Sequence, residues 1–254
     1  MIISLIQTPL TWEDAEANRK RFTSLIDGIE ATDLIILPEM FSTGFTMKPE
    51  VVAEEMDGPT VAWVKSMAVE KDCAVTGSLV IKEKGNYYNR LLFVYPGGEV
   101  KTYDKRHLFS LAGEDKVYTP GRERLIVEYK GWKICPLVCY DLRFPVFSRN
   151  TEDFDLALYV ANWPAARVLA WDTLLKARAI ENMCYVAGVN RTGQDNNGHS
   201  YPGHSQVFDG LGKPILDPLG NEGAFTVTLD KEHLAELRSK LGFLNDRDSF
   251  ILQG

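Results

Sequence analysis

The chain lacks the features of a membrane-spanning, secreted or nucleic-acid-binding protein. No apolar run in its 254 residues approaches the ~20 residues that a bilayer-spanning helix needs. The amino terminus has no basic segment, and its apolar stretch is too short for a signal peptide. The longest run of basic residues is Arg19-Lys20-Arg21, and the formal net charge is −7. Because an acidic chain without a basic stripe is a poor match to nucleic acid or an anionic membrane, we expect neither partner.

Cysteine is scarce and scattered. Cys73, Cys135, Cys139 and Cys184 lie in apolar segments, without the dense spacing of a small disulfide-stapled domain. We therefore expect a reduced, cytoplasmic protein. The Cys135-x3-Cys139 pair has no second cysteine or histidine cluster nearby, and structural zinc needs four ligands. No metal site is predicted.

No linker, repeat or low-complexity segment interrupts the chain, so a single domain over residues 1–254 is expected. Apolar runs and helical spacings alternate, which indicates an α/β fold with helices covering sheets. Pro96-Gly97-Gly98 predicts a hairpin between two of the strands. The pattern predicts strands over 2–7, 34–37, 74–81, 88–95, 99–103, 125–129, 133–138, 156–160, 185–190, 206–208 and 224–229. It predicts helices around 22–29, 61–68, 168–181 and 231–240.

Cys139 ends an apolar strand, and polar residues follow it at once. At a turn from a strand into a helix, nearby backbone N–H groups favour the thiolate and can stabilise an oxyanion. These are the requirements of a cysteine nucleophile. The alternative is a buried structural cysteine, which is what many unpaired cysteines are.

Two other reactive side chains follow predicted strands. Glu39 comes after the strand 34–37, and Lys105 comes after the strand 99–103. Catalytic groups of α/β sheets gather at such strand ends, so the three positions together favour a shared site. A cysteine–histidine pair remains an alternative, because histidine is a common partner of a nucleophilic cysteine. However, none of the histidines falls at a clear strand end: His107, His199, His204 and His233.

Three segments resemble the signatures of the nitrilase, or carbon–nitrogen hydrolase, superfamily: LPEMFSTGF, YDKRHLF and LVCYDLRFP. Their order and spacing also agree with that superfamily, and three independent segments are far more specific than one. The resemblance implies a four-layer α-β-β-α sandwich that works without cofactor or metal. It also implies a homodimer, with the tail from about residue 240 expected at the dimer interface.

The resemblance assigns a role to each reactive residue. Cys139 is the nucleophile that forms a thioester, and Glu39 is the general base. Lys105 and the backbone N–H of Tyr140 are expected to hold the oxyanion. A second glutamate of the family corresponds to Glu114, in GEDKVYTPG, and is expected to hold Lys105 in place.

The substrate is expected to be a small amide. Cys139-Tyr140-Asp141 differs from the Cys-Trp-Glu of many nitrile-cleaving members. The segments ANWP, KARAIEN, GVNRTGQD and LNDRD resemble a bacterial branch with omega-amidase activity, which hydrolyses 2-oxoglutaramate or 2-oxosuccinamate. An amidase for N-carbamoyl compounds or deaminated glutathione is the alternative within the superfamily. A binding module without catalysis is a third possibility, against which the four intact site residues argue.

Three residues are candidates for substrate binding. Arg143 is the candidate anchor for a substrate carboxylate, and the alternative is that it pairs with Asp141 or with a helix C-terminus. Phe41 and Trp163 follow strand ends and are expected either to wall the pocket or to lie in the core. No carboxylate is evident that would receive the ammonium of an α-amino substrate. A keto acid amide is therefore expected to be preferred over glutamine.

Overall fold

The computed structural model describes residues 1–251. Its strands are β1 (Ile2–Gln7), β2 (Leu34–Ile36), β3 (Ala74–Glu83), β4 (Asn86–Val94), β5 (Val100–Asp104), β6 (Val127–Tyr129), β7 (Trp132–Val138), β8 (Leu156–Ala161), β9 (Tyr185–Asn190), β10 (Thr192–Gln194), β11 (Ser200–Pro202), β12 (Gln206–Phe208), β13 (Pro214–Leu216) and β14 (Gly223–Thr228). Its helices are α1 (Ala15–Asp27), α2 (Pro49–Val52), α3 (Pro59–Glu70), α4 (Glu114–Val117), α5 (Val168–Asn182) and α6 (Lys231–Leu241).

Twelve of these strands form two six-stranded sheets. The first has the order β14-β1-β2-β3-β4-β5, and the second has the order β13-β12-β9-β8-β7-β6. Strands β1, β2 and β3 run parallel, and so do β7, β8 and β9. The predicted hairpin is confirmed, since β4 and β5 pair antiparallel. The carboxyl ends of the parallel strands therefore define one edge in each sheet.

The central strands of the first sheet are buried on both faces, as the side chains of β2 show. In β2, Leu34 and Ile36 belong to the core shared with the second sheet. Ile35 points the other way, into a separate core with Phe22 of α1 and Val64 of α3. This alternation follows from the two-residue period of a strand, and it explains why β2 is apolar throughout.

The second sheet is covered on its outer side by α5, which packs on β9 and β12. Trp171, Leu175 and Ala179 of α5 are fully buried, as the helical spacing predicts. Leu234 of α6 joins the same core. Helix, sheet, sheet and helix thus form four layers, and the expected α-β-β-α sandwich is confirmed.

Most long elements begin and end close to where the pattern predicts, but α1 begins at Ala15 and not near residue 22, because its first two turns are mainly polar. Five elements are not predicted from the sequence, and each is only three or four residues long: α2, α4, β10, β11 and β13. Within residues 1–251, no helix is long and apolar enough to cross a membrane. The tail predicted at a dimer interface is described as far as Ile251, and residues 252–254 lie outside the described part.

Candidate active site

A buried charged cluster lies where the parallel strands of the first sheet end. The Nζ atom of Lys105 donates to Glu39 Oε1 at 2.8 Å and to the two carboxylate oxygens of Glu114 at 3.1 and 2.9 Å. The side chains of all three residues are fully buried or nearly so. Two buried carboxyl groups therefore share one ammonium.

The backbone holds Lys105 directly after β5. Its N–H donates to Asn89 O at 3.0 Å, and its carbonyl accepts from Gly121 N at 3.0 Å. A Cβ at Gly121 would come within 2.0 Å of Asp104 O, so only glycine allows the two segments to approach this closely. Glu114 opens α4, and its Oε2 accepts from the Phe109 N–H at 2.6 Å.

Two asparagines that the sequence analysis did not single out complete the cluster. Asn89 Nδ2 donates to Glu39 Oε1 at 2.8 Å and to Glu114 Oε1 at 3.1 Å, so one amide bridges the two carboxylates. Asn162 donates its N–H to Glu39 Oε2 at 2.9 Å and its Nδ2 to the Glu39 carbonyl at 2.6 Å. Asn162 directly follows β8, which is a signal of the same kind as those for Glu39 and Lys105. Asn89 lies inside β4, where nothing in the sequence marks it.

Cys139 opens a 3-10 turn, Cys139–Arg143, directly after β7. Its φ of +44° is in the left-handed region, which is unfavourable for a residue with a side chain and marks a position held by its surroundings. Its Sγ lies 4.0 Å from Asn162 O, which places the thiol beside the residue that binds Glu39. Tyr140 is the next residue of the turn, and the first N–H groups of such a turn have no intrahelical acceptor.

The protonation states follow from these contacts. Burial raises the pKa of the Cys139 thiol, the Glu39 carboxylate raises it further, and Lys105 opposes both. At rest the cysteine is therefore a neutral thiol. Burial by itself lowers the pKa of Lys105, but Glu114 and Glu39 outweigh it and keep the ammonium charged. Burial raises the pKa of Glu114, and Lys105 counteracts that effect.

Lys105 and Cys139 both line a cavity of about 640 Å³. Tyr140, Arg143 and Trp163 line it too, as the sequence analysis expected of a shared site. Phe45 contributes an aromatic wall, with its ring centroid 5.2 Å from Lys105 Nζ. The strand ends thus bring five of the predicted residues, including Lys105 and Cys139, to one cavity whose size suits a small molecule.

Phe41 is not part of that cavity wall, and its assignment to substrate binding is wrong. Its side chain is 1% exposed and packs edge-on against Phe22, with ring centroids 5.3 Å apart. Trp63 of α3 lies on it as well, at 5.7 Å. The residue before it, Met40, has a φ of +42°, so the chain turns sharply after Glu39. Phe41 therefore lies in the core between the first sheet and its helices.

Arg143 lies over the ring of Trp163, with 5.0 Å between its guanidinium carbon and the ring centroid. The alternative partner of Arg143, Asp141, is occupied by other donors, among them Tyr103 at 2.7 Å. In residues 1–251, Arg143 forms no ion pair, and neither do Arg167 and Lys48, which line the same cavity. Three unpaired cations therefore face a cavity inside an acidic protein.

The cavity wall also holds two carboxylates, which the sequence analysis did not foresee. Glu13 Oε1 accepts from the Thr46 hydroxyl at 2.5 Å. Asp195 accepts the Tyr201 hydroxyl at 2.8 Å and the N–H groups of Asn197 and His199. Glu13 accepts one of these hydrogen bonds and Asp195 accepts three, so Glu13 has more free acceptor capacity. The cavity therefore holds a carboxylate that can receive an α-ammonium, and the expectation that it holds none is wrong.

The histidines take other positions. His107 bonds to Asp141 behind the turn, and His204 Nδ1 lies 3.2 Å from Asp172. His199 is exposed at the cavity wall. Cys135 is buried in the core between the sheets. Within residues 1–251, no group of three or more His, Cys, Asp or Glu side chains is arranged to hold a metal ion.

Comparison with known proteins adds an independent line of evidence. The family model "Carbon-nitrogen hydrolase" matches residues 2–239. The chain is 47% identical over 253 residues to "Omega-amidase YafV" of Yersinia enterocolitica, covering 98% of each chain. It is 31% identical over 250 residues to "2-oxoglutaramate amidase" of Bacillus subtilis, covering 96% of each. A crystal structure of XC1258 from Xanthomonas campestris, described as a CN-hydrolase superfamily protein with an arsenic adduct in the active site, superposes with a TM-score of 0.98 at 48% identity. That match covers 100% of this chain and 99% of the other.

Proposed function

Because the chain belongs to the carbon–nitrogen hydrolase family, we propose that it is an omega-amidase, which hydrolyses the terminal amide of 2-oxoglutaramate or 2-oxosuccinamate. The similarity to the omega-amidase and the 2-oxoglutaramate amidase supports this activity. The observation that carries it is the buried cluster of Lys105 between Glu39 and Glu114, beside Cys139 at the floor of one cavity.

The first step forms the carbon–sulfur bond. Glu39 removes the proton from the Cys139 thiol as sulfur attacks the amide carbon, and the carbonyl electrons move onto oxygen. Since the resting thiol is neutral, the base has to act at the moment of attack. Oε1 of Glu39 is held by Lys105 and Asn89, so we assign the proton transfer to Oε2, on the side of Asn162.

The oxyanion of the tetrahedral intermediate is stabilised by the Lys105 ammonium and the Tyr140 N–H. A charged donor that is itself buried, as Lys105 is, stabilises such an oxyanion strongly. Glu114 acts through Lys105: its two oxygens hold Nζ at 2.9 and 3.1 Å and keep it protonated. Glu114 is thus a positioning residue.

The remaining steps return the site to its starting state. The intermediate collapses, the carbon–nitrogen bond breaks, and the protonated Glu39 gives its proton to the leaving nitrogen, which departs as ammonia. Water then attacks the thioester while Glu39 takes one of its protons. When the carbon–sulfur bond breaks, the acid is released, and the same proton returns to the Cys139 sulfur.

The substrate carboxylate binds at the cationic side of the cavity. We assign Arg143 as its anchor, because a guanidinium without a carboxylate partner offers two parallel N–H donors. Trp163 keeps Arg143 in place by lying under its guanidinium. Arg167, over the ring of Phe109 at 5.1 Å, adds positive potential to the same cavity.

Ammonia release from a panel of compounds tests the proposal. 2-Oxoglutaramate and 2-oxosuccinamate are compared with glutamine, asparagine, N-carbamoyl amino acids, deaminated glutathione and nitriles. We expect the two keto acid amides to have the highest kcat/KM. Comparable values for glutamine and 2-oxoglutaramate contradict the assignment, and a preference for N-carbamoyl compounds or deaminated glutathione favours the other amidases. No turnover of any compound favours the binding module.

We further propose a homodimer in the cytoplasm. All four cysteines are free thiols, which suits a reducing compartment. Large apolar side chains remain exposed on α5 and beyond it: Leu169, Ile180, Leu211 and Phe243. Such side chains favour an interface that takes in the tail from about residue 240. Sedimentation equilibrium should give twice the chain mass, and a monomer at micromolar concentration contradicts this assembly.

A further inference from the structure

A buried carboxylate within the Cys139 turn accepts hydrogen bonds from donors of both sheets. Asp141 is fully buried. Its Oδ2 accepts from the Tyr103 hydroxyl at 2.7 Å and from the Val138 N–H at 2.9 Å. Its Oδ1 accepts from His107, from the N–H at 3.1 Å and from ring Nδ1 at 2.7 Å. Tyr103 lies in β5 of the first sheet, whereas Val138 ends β7 of the second.

The imidazole of His107 fits closely between the two segments. Its ring is parallel to that of Phe144, with 3.7 Å between centroids and 6° between planes. Because Nδ1 faces a carboxylate oxygen, this nitrogen carries the hydrogen. His107 follows Lys105 by two residues, and Phe144 follows Cys139 by five. The His107 ring therefore packs the segment that carries Lys105 against the segment that carries Cys139.

These contacts stabilise a backbone conformation that is unfavourable by itself. Cys139 has a left-handed backbone conformation, which persists only where surrounding contacts fix it. Lys105 directly follows a strand of the first sheet and Cys139 directly follows a strand of the second, so their separation depends on contacts between the sheets. The hydrogen bond between His107 and Asp141 is such a contact: it joins the Lys105 segment to the Cys139 turn, and neither residue lines the cavity.

We propose that His107 is a positioning residue of the amidase reaction: through Asp141 and Phe144 it fixes the Cys139 turn relative to Lys105. The inference rests on the proposed roles of Cys139 and Lys105. It assigns His107 no proton transfer to the substrate. Its effect is on the alignment of thiol, base and oxyanion donor, to which covalent catalysis is highly sensitive.

The test compares His107→Leu with His107→Asn. Asparagine places its Nδ2 near the position of the imidazole Nδ1 and can still donate to Asp141, whereas leucine cannot. His204→Leu is the matched control, since His204 also contacts an aspartate, Asp172, but that aspartate lies in α5 and not in the Cys139 turn. Activity on 2-oxoglutaramate is measured well below the Tm of each variant.

We expect His107→Leu to lower kcat by about 10- to 100-fold, because small misplacements at a reacting centre have effects of this size. KM should change less than about twofold, since substrate contacts remain. His107→Asn should recover most of the activity, and His204→Leu should match the parent protein. Wild-type kcat in His107→Leu overturns the inference. An equally large loss in His107→Asn overturns it too, because the hydrogen bond to Asp141 would then be irrelevant.

A second measurement needs no substrate. The rate at which iodoacetamide alkylates Cys139 is followed against pH by mass spectrometry. We expect the profile to shift in His107→Leu, because the thiol changes its position relative to Glu39 and Lys105, and to stay unchanged in His204→Leu. An unshifted profile overturns the inference. If the parent protein releases no ammonia from any amide, the proposed function fails, but the alkylation profile still decides the positioning role. His107→Gln replaces the leucine variant if that variant does not fold.

Discussion

Among single residues, Cys139 differs from the other cysteines in what surrounds it. It borders the cavity and lies beside an oxygen-rich cluster, whereas Cys73, Cys135 and Cys184 are fully buried among apolar side chains. Burial raises the pKa of Cys73 to about 11 and makes it unreactive at neutral pH. Only Cys139 combines access, a nearby base and an ammonium.

Replacement of Cys139 tests its role directly. Cys139→Ala should abolish ammonia release from every substrate and leave the circular dichroism spectrum unchanged. Cys135→Ala is the matched control and should stay active, because Cys135 faces the core between the sheets. Mass spectrometry of the parent protein, quenched during turnover, should find the acyl adduct on Cys139. An adduct on Cys135, or an active Cys139→Ala protein, is incompatible with the mechanism.

Glu39 and Lys105 carry separate parts of the chemistry. Glu39→Gln removes the base and Lys105→Gln removes the charged oxyanion donor, so each should lower kcat/KM by at least ~100-fold. Activity is normalised to folded protein, because Lys105→Gln leaves two buried carboxylates without a cation. His199→Ala is the control, since His199 is the histidine on the cavity wall. If it is as inactive as Glu39→Gln, a cysteine–histidine mechanism explains the enzyme better.

Arg143 is the proposed binding residue for the substrate carboxylate. Arg143→Met should raise KM for 2-oxoglutaramate much more than for a neutral amide of similar length, because the lost interaction is with the carboxylate. Lys48→Met, which removes another cavity cation, should have a smaller effect. Equal changes of KM for the charged and neutral amides remove Arg143 as the anchor but leave the catalytic roles standing.

How far the site can be predicted from the sequence depends on the kind of signal. Reactive side chains directly after apolar strands are visible, which is why Glu39, Lys105 and Cys139 were found. Asn89 is invisible because an amide inside a strand has no distinguishing pattern. The sequence also does not show which way an aromatic side chain points after a strand end. The backbone turn at Met40 directs the side chain of Phe41 into the core.

At the scale of elements, periodicity predicts the long strands and helices, but it does not predict how layers stack. The count of two sheets came from the family resemblance alone. Their packing appears only in contacts such as the one between β9 and α5. There, a Cβ at Gly188 would lie 2.4 Å from Leu175 Cδ1 and 2.8 Å from Trp171 Cζ2. The sequence shows a glycine in a strand, and the structure shows why it is needed.

This contact gives a test of layer packing. Gly188→Ala should lower the free energy of unfolding by about 1–3 kcal/mol, because Leu175 and Trp171 are fully buried and have no room to move. Gly97→Ala is the control: its Cβ would meet nothing within 4 Å, so stability should stay the same or rise slightly. Urea denaturation measures both. Equal stability of Gly188→Ala and the parent protein would mean that α5 packs on β9 loosely enough to accommodate a methyl group at residue 188.

At the scale of the whole molecule, the two sheets share one core. We therefore expect residues 1–254 to unfold as a single domain, with one transition in scanning calorimetry. Two separated transitions, one for each sheet, contradict this prediction.

The same calorimetric measurement should show a loss of stability in alkali. Burial raises the pKa of several phenols and thiols, and two carboxylates raise that of Lys105 against the opposite effect of burial. The phenols are those of Tyr103, Tyr118, Tyr159 and Tyr201. In the unfolded chain these groups lose protons from about pH 8.5 for cysteine to about 10 for tyrosine and lysine. The folded state retains the protons, so its stability is complete below that range and falls as the pH rises through it. A Tm that stays constant up to pH 11 contradicts this.

The hydrogen bond from the Asn162 N–H to Glu39 joins residues 123 positions apart, each of which follows a strand of a different sheet. This has a consequence for the order of events in folding. Closing so long a loop is a slow, late step in comparison with forming a hairpin or a helix. While the chain is being synthesised, Glu39 and Lys105 are complete long before the strand that precedes Asn162 has been made. The thiol therefore meets its base only when the two halves dock. Recovery of amidase activity during refolding should accordingly lag behind recovery of secondary structure, and an immature chain carries no active nucleophile.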